Sequence, residues 1–323
     1  MKPNVNIALL GFGTVAGGTY DIFRMNRETI SSRTGIDFRV RKILVRDKKK
    51  AEAHGISERA VTDPEEIFSD KSIDIVVEAI GGIEPAAEYM LRAMRAGKHV
   101  VTPNKAALAE HYHELHAEAK ACNVEFRFEA SVGGGIPALT SVQEALAGNE
   151  FTEIQGIVNG TTNYILTQMT DHGLPYTEAL HDAQKKGFAE ADPTADVEGI
   201  DAANKLSIMM ALCFDKYVKP DRIPRKGITG VTMDDISSAK KHGNKIKLIA
   251  RARNMDDYFE YGVEPVEIPA DHPLAGVSNE FNAIYITGNA VGELMFYGKG
   301  AGALPTGSAV AGDIIAIGKN IRR

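Results

Sequence analysis

Residues 5–16 read Val5-Asn6-Ile7-Ala8-Leu9-Leu10-Gly11-Phe12-Gly13-Thr14-Val15-Ala16. Val5–Leu10 is a nearly continuous apolar run, the pattern of a strand buried on both faces of a parallel sheet. A glycine turn follows at once, and a helix pattern opens from Val15. Strand, G-x-G-x-x-A and helix in that order form a dinucleotide-binding fingerprint in the context that gives it meaning. Gly11 permits the tight turn, Gly13 lets a pyrophosphate approach the backbone, and Ala16 keeps the helix close to the strand. The N–H groups around Phe12, Thr14 and Val15 then face the phosphates, where the helix dipole favours negative charge. A glycine turn without a ligand is the bland alternative, and the surrounding alternation of elements weighs against it.

That alternation runs through the first 131 residues. Strand patterns recur at Arg39–Val45, Ile73–Ile80, His99–Val101 and Val124–Phe128, with helix patterns at Pro85–Ala96 and Lys105–Ala121. The order predicts a Rossmann-type, doubly wound α/β nucleotide-binding domain over 1–131. Beyond Ser131 helix patterns dominate from Ile136 to Phe214, broken by a strand at Thr152–Val158. Three β-like stretches follow at Lys245–Arg253, Tyr258–Ile268 and Asn282–Thr287, then a last helix pattern at Ser308–Ile321. An α+β second domain over 132–302, with a mixed sheet under its helices, is expected.

Composition narrows the function classes. Of 323 residues 44% are hydrophobic, 25% are charged and 31 are glycine, which is ordinary for a folded two-domain protein apart from the glycine excess. The net charge of −6 provides no global basic field for nucleic acid. No run approaches the roughly 20 apolar residues that span a membrane, and the N-terminus lacks a secretory signal pattern. Cys122 and Cys213 form no CxxC pair and are expected to be buried free thiols. The expectation is a soluble, cytoplasmic protein.

The second strand pattern ends in Val45-Arg46-Asp47, followed by Lys48, Lys49 and Lys50. An acidic residue there takes a ribose 2′-hydroxyl, while an arginine accommodates a 2′-phosphate. Arg46 comes first in a positive loop, which favours NADP(H) over NAD(H). The lysines also read as a solvated surface.

Farther on, residues 183–205 read AQKKGFAEADPTADVEGIDAANK. With a helix beginning near Val197, Asp201 and Lys205 fall at i and i+4 on one face. An exposed, ion-paired helix would explain that pair alone. It does not explain a carboxylate-rich turn leading into an otherwise apolar helix.

Ala183, Gly187-Phe188-Ala189, Asp192-Pro193, Asp196, Gly199, Asp201 and Lys205 together resemble the homoserine dehydrogenase family pattern. The likeness continues in Val77–Gly82, Gly97–Lys105, Phe128–Ser131, Gly134–Pro137, Asn159–Tyr164 and Gly300–Gly302, and covers essentially the whole chain. It implies reversible NAD(P)H-dependent reduction of L-aspartate 4-semialdehyde to L-homoserine, in threonine, methionine and isoleucine biosynthesis. Hydride arriving at an aldehyde carbon leaves negative charge on oxygen, so a proton donor and cationic stabilisers are required. The resemblance implies Lys205 as general acid/base, assisted by Lys105, with Asp201 orienting Lys205 or a water. It also implies Glu190, Asp201 and Lys105 on substrate, and Gly81, Lys105 and Gly302 beside the cofactor. Two nearby ammonium groups would lower each other's pKa. A structural monovalent cation, Na+ or K+, is implied on Glu129 and the carbonyls of Val132, Gly134 and Ile136, all oxygen donors. A C-terminal helix over about 303–323 packing back on the nucleotide domain and a homodimer formed through the second domain's sheet are likewise implied. Many relatives continue into a C-terminal regulatory domain; the resemblance here is to the catalytic core without it.

His111, His113 and His116 do not make a zinc site, because 111 and 113 face apart on a helix and no cysteine completes a tetrahedral set. Neither cysteine sits in the polar or glycine-rich turn that a nucleophilic thiol needs. The alternatives are another semialdehyde reductase using the same lysines, or a catalytically silent NADP-binding sensor.

Overall fold

In the computed structural model, which describes residues 2–255 and 257–322, the chain divides into two compact units. Met1, Asp256, Arg323 and the side chain of Lys50 lie outside the described residues. One unit is Met1–Gly135 with Ala301–Arg323, and the other is Ile136–Gly300. The sequence breaks expected after 131 and after 302 fall a few residues from these joins.

The first unit is built on six parallel strands, β1 (Asn4–Leu10), β2 (Asp37–Leu44), β3 (Ala60–Val61), β4 (Ile75–Glu78), β5 (His99–Val101) and β6 (Phe126–Arg127). Their order is β3-β2-β1-β4-β5-β6, with the fingerprint strand β1 central and Ile7 opposite Ile75. Val5, Ile7, Ala8, Leu9 and Leu10 are all fully buried, as a strand covered on both faces requires. The two-residue β3 escapes the sequence reading because it is too short to show a period.

The long first crossover resolves into two helices, Thr14–Met25 and Arg27–Thr34, joined at the non-helical Asn26 and ended by left-handed Gly35. The single helix expected over Lys105–Ala121 is likewise two, Lys105–Glu110 and Tyr112–Ala121. His111 leaves helical geometry between them, and its ring pairs with Glu114 at 2.9 Å.

The last helix begins at Ala303, earlier than the sequence pattern, and runs to Ile321. Pro305 and Gly307 read as helix breakers, but a proline in the first turn lacks only an N–H that would have no helical partner. This helix crosses Thr14–Met25 at very short range. A Cβ on Gly18 would lie 2.0 Å from the Ala303 carbonyl oxygen, and one on Gly307 would lie 2.6 Å from the backbone of Gly18 and Thr19. Val310, Ala311, Ile314 and Ile317 then complete a core with Ile7, Leu9, Phe23 and Phe38.

The second unit carries β7 (Phe151–Ile157), β8 (Asn244–Asn254), β9 (Phe259–Pro269), β10 (Phe281–Gly288) and β11 (Gly292–Lys299), in the order β11-β10-β7-β8-β9. Its ladders are all antiparallel, not mixed as expected. Among the described residues of this unit, parallel pairing is confined to one isolated bridge, Arg225 to Val263. Connectivity accounts for two of the four ladders: β8–β9 and β10–β11 are joined by short turns, and strands joined in that way run antiparallel. β11 is an exposed edge strand with no wholly buried face, so no alternation announced it.

Helices Gly160–His172, Ile200–Phe214 and Met233–Lys241 pack on this sheet. Thr232 opens the last of them with a capping box to Asp235. Ser141–Ala145 forms only a π-helical turn where a longer helix pattern was expected. Among the described residues no helix is long and apolar enough to cross a membrane.

Candidate active site

Gly11 adopts φ +92°, and a Cβ there would come within 2.9 Å of the Ala79 carbonyl oxygen. The close approach of β1 and β4 at their C-terminal ends therefore demands glycine. Gly13 is the residue before helix Thr14–Met25 and offers no side-chain cap. A Cβ built on it meets nothing within 4 Å, and the first helical turn holds no acidic residue. Thr14 and Val15 thus begin a helix whose positive end is open, a fit to pyrophosphate. Phe12 packs edge-on against Tyr20 and His54 at 5.8 and 5.5 Å.

After β2, Arg46 and Asp47 are both exposed, but their roles diverge. Asp47 Oδ1 accepts a bond from the Lys49 N–H at 2.8 Å and caps helix Lys48–Ala53. Its carboxylate is engaged in local structure, while the Arg46 guanidinium stays at the surface.

A buried carboxylate that the sequence reading left without a role organises the neighbouring turn. Glu78, fully buried at the end of β4, accepts from the Ile80 N–H at 2.8 Å and from the Thr102 hydroxyl at 2.7 Å. Thr102 in turn accepts from the Asn104 N–H at 3.0 Å, and Asn104 donates to the Gly82 carbonyl at 2.7 Å. Asn104 also caps the helix whose first residue is Lys105. The turn carrying Gly81 and the start carrying Lys105 are therefore tied together through Glu78. Gly302, at φ +119°, occupies the N-cap position of the last helix.

In the proposed cation loop, Glu129 is 5% exposed and its N–H donates to Asp313 at 2.9 Å. Val132, Gly134 and Ile136 are buried, and the consecutive left-handed Gly133 and Gly134 turn the backbone sharply. The Ile136 carbonyl also accepts from Ala138 at 2.9 Å.

The second unit holds the clearest concentration of buried polar chemistry. Helix Ile200–Phe214 starts three residues after the expected Val197, following left-handed Gly199. Asp201 and Lys205 lie one turn apart, 6% and 8% exposed, with Lys205 Nζ donating to Asp201 Oδ2 at 2.6 Å and to the Val158 carbonyl at 2.5 Å. Asp201 sits in the first helical turn, where the dipole favours its charge. Asn159 joins the pair by donating to the same Asp201 oxygen at 2.9 Å and to Asp196 at 2.7 Å. Neither Asn159 nor Asp196 had a role in the sequence reading. The available signal was a cap-forming asparagine before Gly160-Thr161-Thr162.

Glu190 lies on an exposed loop that is pinned from several sides. Gln184 donates to the Glu190 carbonyl at 3.1 Å, the Thr161 hydroxyl lies 2.6 Å from the Phe188 carbonyl, and Phe188 packs on Tyr164 at 4.8 Å. The Thr194 hydroxyl and N–H hold the Asp192 carboxyl below its usual range. Burial raises the Tyr164 phenol above its usual range, assisted by its bond to Asp182.

Cys122 and Cys213 are free thiols of intermediate exposure, where buried ones were expected. Burial pushes the Cys213 thiol up to about 12, which leaves it unreactive near neutrality.

Comparison with known proteins places this geometry. A family model described as the homoserine dehydrogenase NAD binding domain matches residues 11–129, and a second, described as homoserine dehydrogenase, matches residues 137–315. The homoserine dehydrogenase of Bacillus subtilis is 44% identical over 319 residues, covering 98% of this chain and 74% of that protein. A solved homoserine dehydrogenase from Thiobacillus denitrificans superposes with a TM-score of 0.95 at 42% identity, covering 99% of this chain and 74% of that one. A hyperthermophilic archaeal homoserine dehydrogenase, solved in complex with NADPH, matches with a TM-score of 0.83 at 29% identity, covering 99% and 98%. With both units matched and identities above 40% across nearly its full length, the chain belongs to the homoserine dehydrogenase family.

Proposed function

We propose that the chain interconverts L-aspartate 4-semialdehyde and L-homoserine with NADP(H) in preference to NAD(H), using Lys205 as general acid/base. The observation that carries the assignment is the buried Lys205–Asp201 pair on helix Ile200–Phe214, within the family-matched region. A bound reduced nicotinamide supplies hydride to the aldehyde carbon. Charge then develops on the carbonyl oxygen, and the Lys205 ammonium donates a proton to it; in the reverse direction the amine takes the hydroxyl proton. Asp201 stabilises the ammonium and fixes its direction. Glu190 and Asp201 take the substrate α-ammonium, and Lys105 assists at substrate and nicotinamide.

Gly11, Phe12, Gly13, Thr14 and Val15 hold the pyrophosphate at the open helix start, with Gly81 and Gly302 lining the cofactor. Arg46 receives the 2′-phosphate, supported by the engagement of Asp47 as a helix cap. Glu129 with the carbonyls of Val132, Gly134 and Ile136 offers an all-oxygen set suited to Na+ or K+, which serves structure and not chemistry. A homodimer formed through the antiparallel sheet is consistent with exposed Met295 and Tyr297 on edge strand β11.

The deciding experiment is NADPH consumption with aspartate semialdehyde, beside Lys205→Ala. Turnover by the wild type and its loss in the variant are expected. NADPH binding without turnover in the wild type would overturn the reading and leave a cofactor-binding sensor.

A further inference from the structure

Asn159 follows β7 and opens helix Gly160–His172. It is 5% exposed, and its amide makes four hydrogen bonds. Nδ2 donates to Asp196 Oδ1 at 2.7 Å and to Asp201 Oδ2 at 2.9 Å. Oδ1 accepts from the Thr162 N–H at 2.8 Å and the Thr162 hydroxyl at 3.0 Å. That uses the whole capacity of an asparagine side chain. The amide orientation follows, since the reverse flip would set Oδ1 against two carboxylates and Nδ2 against a backbone N–H.

Capping a helix needs only the side-chain oxygen. Both donors exceed that need, and both go to carboxylates on two other helices, Thr194–Val197 and Ile200–Phe214. The Asp201 oxygen held by Asn159 is also the one that receives Lys205 Nζ at 2.6 Å. A neutral double donor between the buried Asp201 and the half-buried Asp196 lets the two carboxylates approach one side chain without direct repulsion.

We infer that Asn159 is a positioning residue for the proposed reaction. It holds Asp201 Oδ2 in the orientation that meets Lys205 and keeps the Asp196 carboxylate tied to its other donor. The inference rests on the reading of Lys205 as acid/base.

Asn159→Ser tests it, because serine keeps a capping oxygen and removes both amide donors. The expected result is an unfolding midpoint and a KM for NADPH close to wild type, with kcat lower by about tenfold to a hundredfold, as for a misaligned reacting group. Combined with Asp201→Asn, the loss is expected to be no greater than for Asp201→Asn alone, since Asn159 acts through Asp201. Turnover of Asn159→Ser within about twofold of wild type, or losses that multiply in the double variant, would overturn the inference. Should the serine variant fail to fold, Asn159→Thr takes its place under the same criteria, since it too keeps a capping oxygen and removes both amide donors. A wild type without turnover refutes the proposed reaction and this inference with it; a fully active Asn159 variant refutes this inference alone.

Discussion

Lys205 carries its charge at a depth where an unpaired ammonium would not persist, and it does so because Asp201 and the Val158 carbonyl receive it. Truncation therefore has two separable costs. Lys205→Ala is expected to lower kcat by about 10²–10⁴-fold, the range of general acid/base contributions. It also strips Asp201 of its cation, a change costing about 3–5 kcal/mol where nothing compensates. Asn159 still donates to Asp201, so urea unfolding should show a loss at or below the lower end of that range. At the surface, Arg46→Ala is expected to raise KM for NADPH by about tenfold, the scale of one charge-assisted contact, with KM for NADH nearly unchanged. Equal effects on both cofactors would contradict the 2′-phosphate role. The Asp201–Lys205 pair was legible in the sequence because one helical turn separates its members. Asn159 and Asp196 were not, since their meeting with Asp201 depends on how β7, two helices and a turn fold together.

Among the elements, the crossing of Thr14–Met25 with Ala303–Ile321 shows what glycine is for away from ligands. In an isolated helix Gly18→Ala would gain about 1 kcal/mol from propensity. Here the added methyl meets the Ala303 backbone at 2.0 Å, which no side-chain adjustment relieves. Overpacking wins, and a net destabilisation of about 1–3 kcal/mol in urea unfolding is expected. The sequence reading assigned glycines to ligand-facing turns and passed over Gly18 and Gly307, because close helix contact leaves no local signature.

Strand β8 holds another such feature. Lys247 is 2% exposed, its Nζ donating to Asn163 Oδ1 at 3.0 Å and to the Val277 carbonyl at 2.6 Å. Burial lowers its pKa from 10.5 to about 8. Below that pH both folded and unfolded chains hold the proton; between about 8 and 10.5 the unfolded chain holds it and the folded chain has released it. Stability from this residue thus rises with pH across that window. Denaturant unfolding of wild type and Lys247→Met should show the wild type gaining on the variant from pH 8 upward. A constant difference would contradict the shift.

For the molecule as a whole, the proposed cation makes a prediction independent of catalysis. A ligand that binds only the folded chain raises its stability with concentration. The unfolding midpoint should therefore be higher in NaCl or KCl than in choline chloride at equal ionic strength, and Glu129→Gln should remove most of that difference. Equal midpoints in the three salts would remove the cation from the account.

The sequence by itself determined the nucleotide fold, since the apolar period, the Gly11–Ala16 turn and the recurring strands are local patterns written within a few turns of chain. It also determined that Asp201 and Lys205 share a helix face. Only the tertiary structure decided the strand order, the antiparallel character of the second sheet, the split of the Lys105–Ala121 pattern at His111, and the glycine-to-backbone seat of the last helix. It alone showed Glu78 holding the turn before Lys105 and Asn159 joining two carboxylates. The physical reason is common to these cases: backbone preference and hydrophobic period act over neighbouring residues, whereas a buried polar group takes its partners from whatever distant segment the packing brings to it.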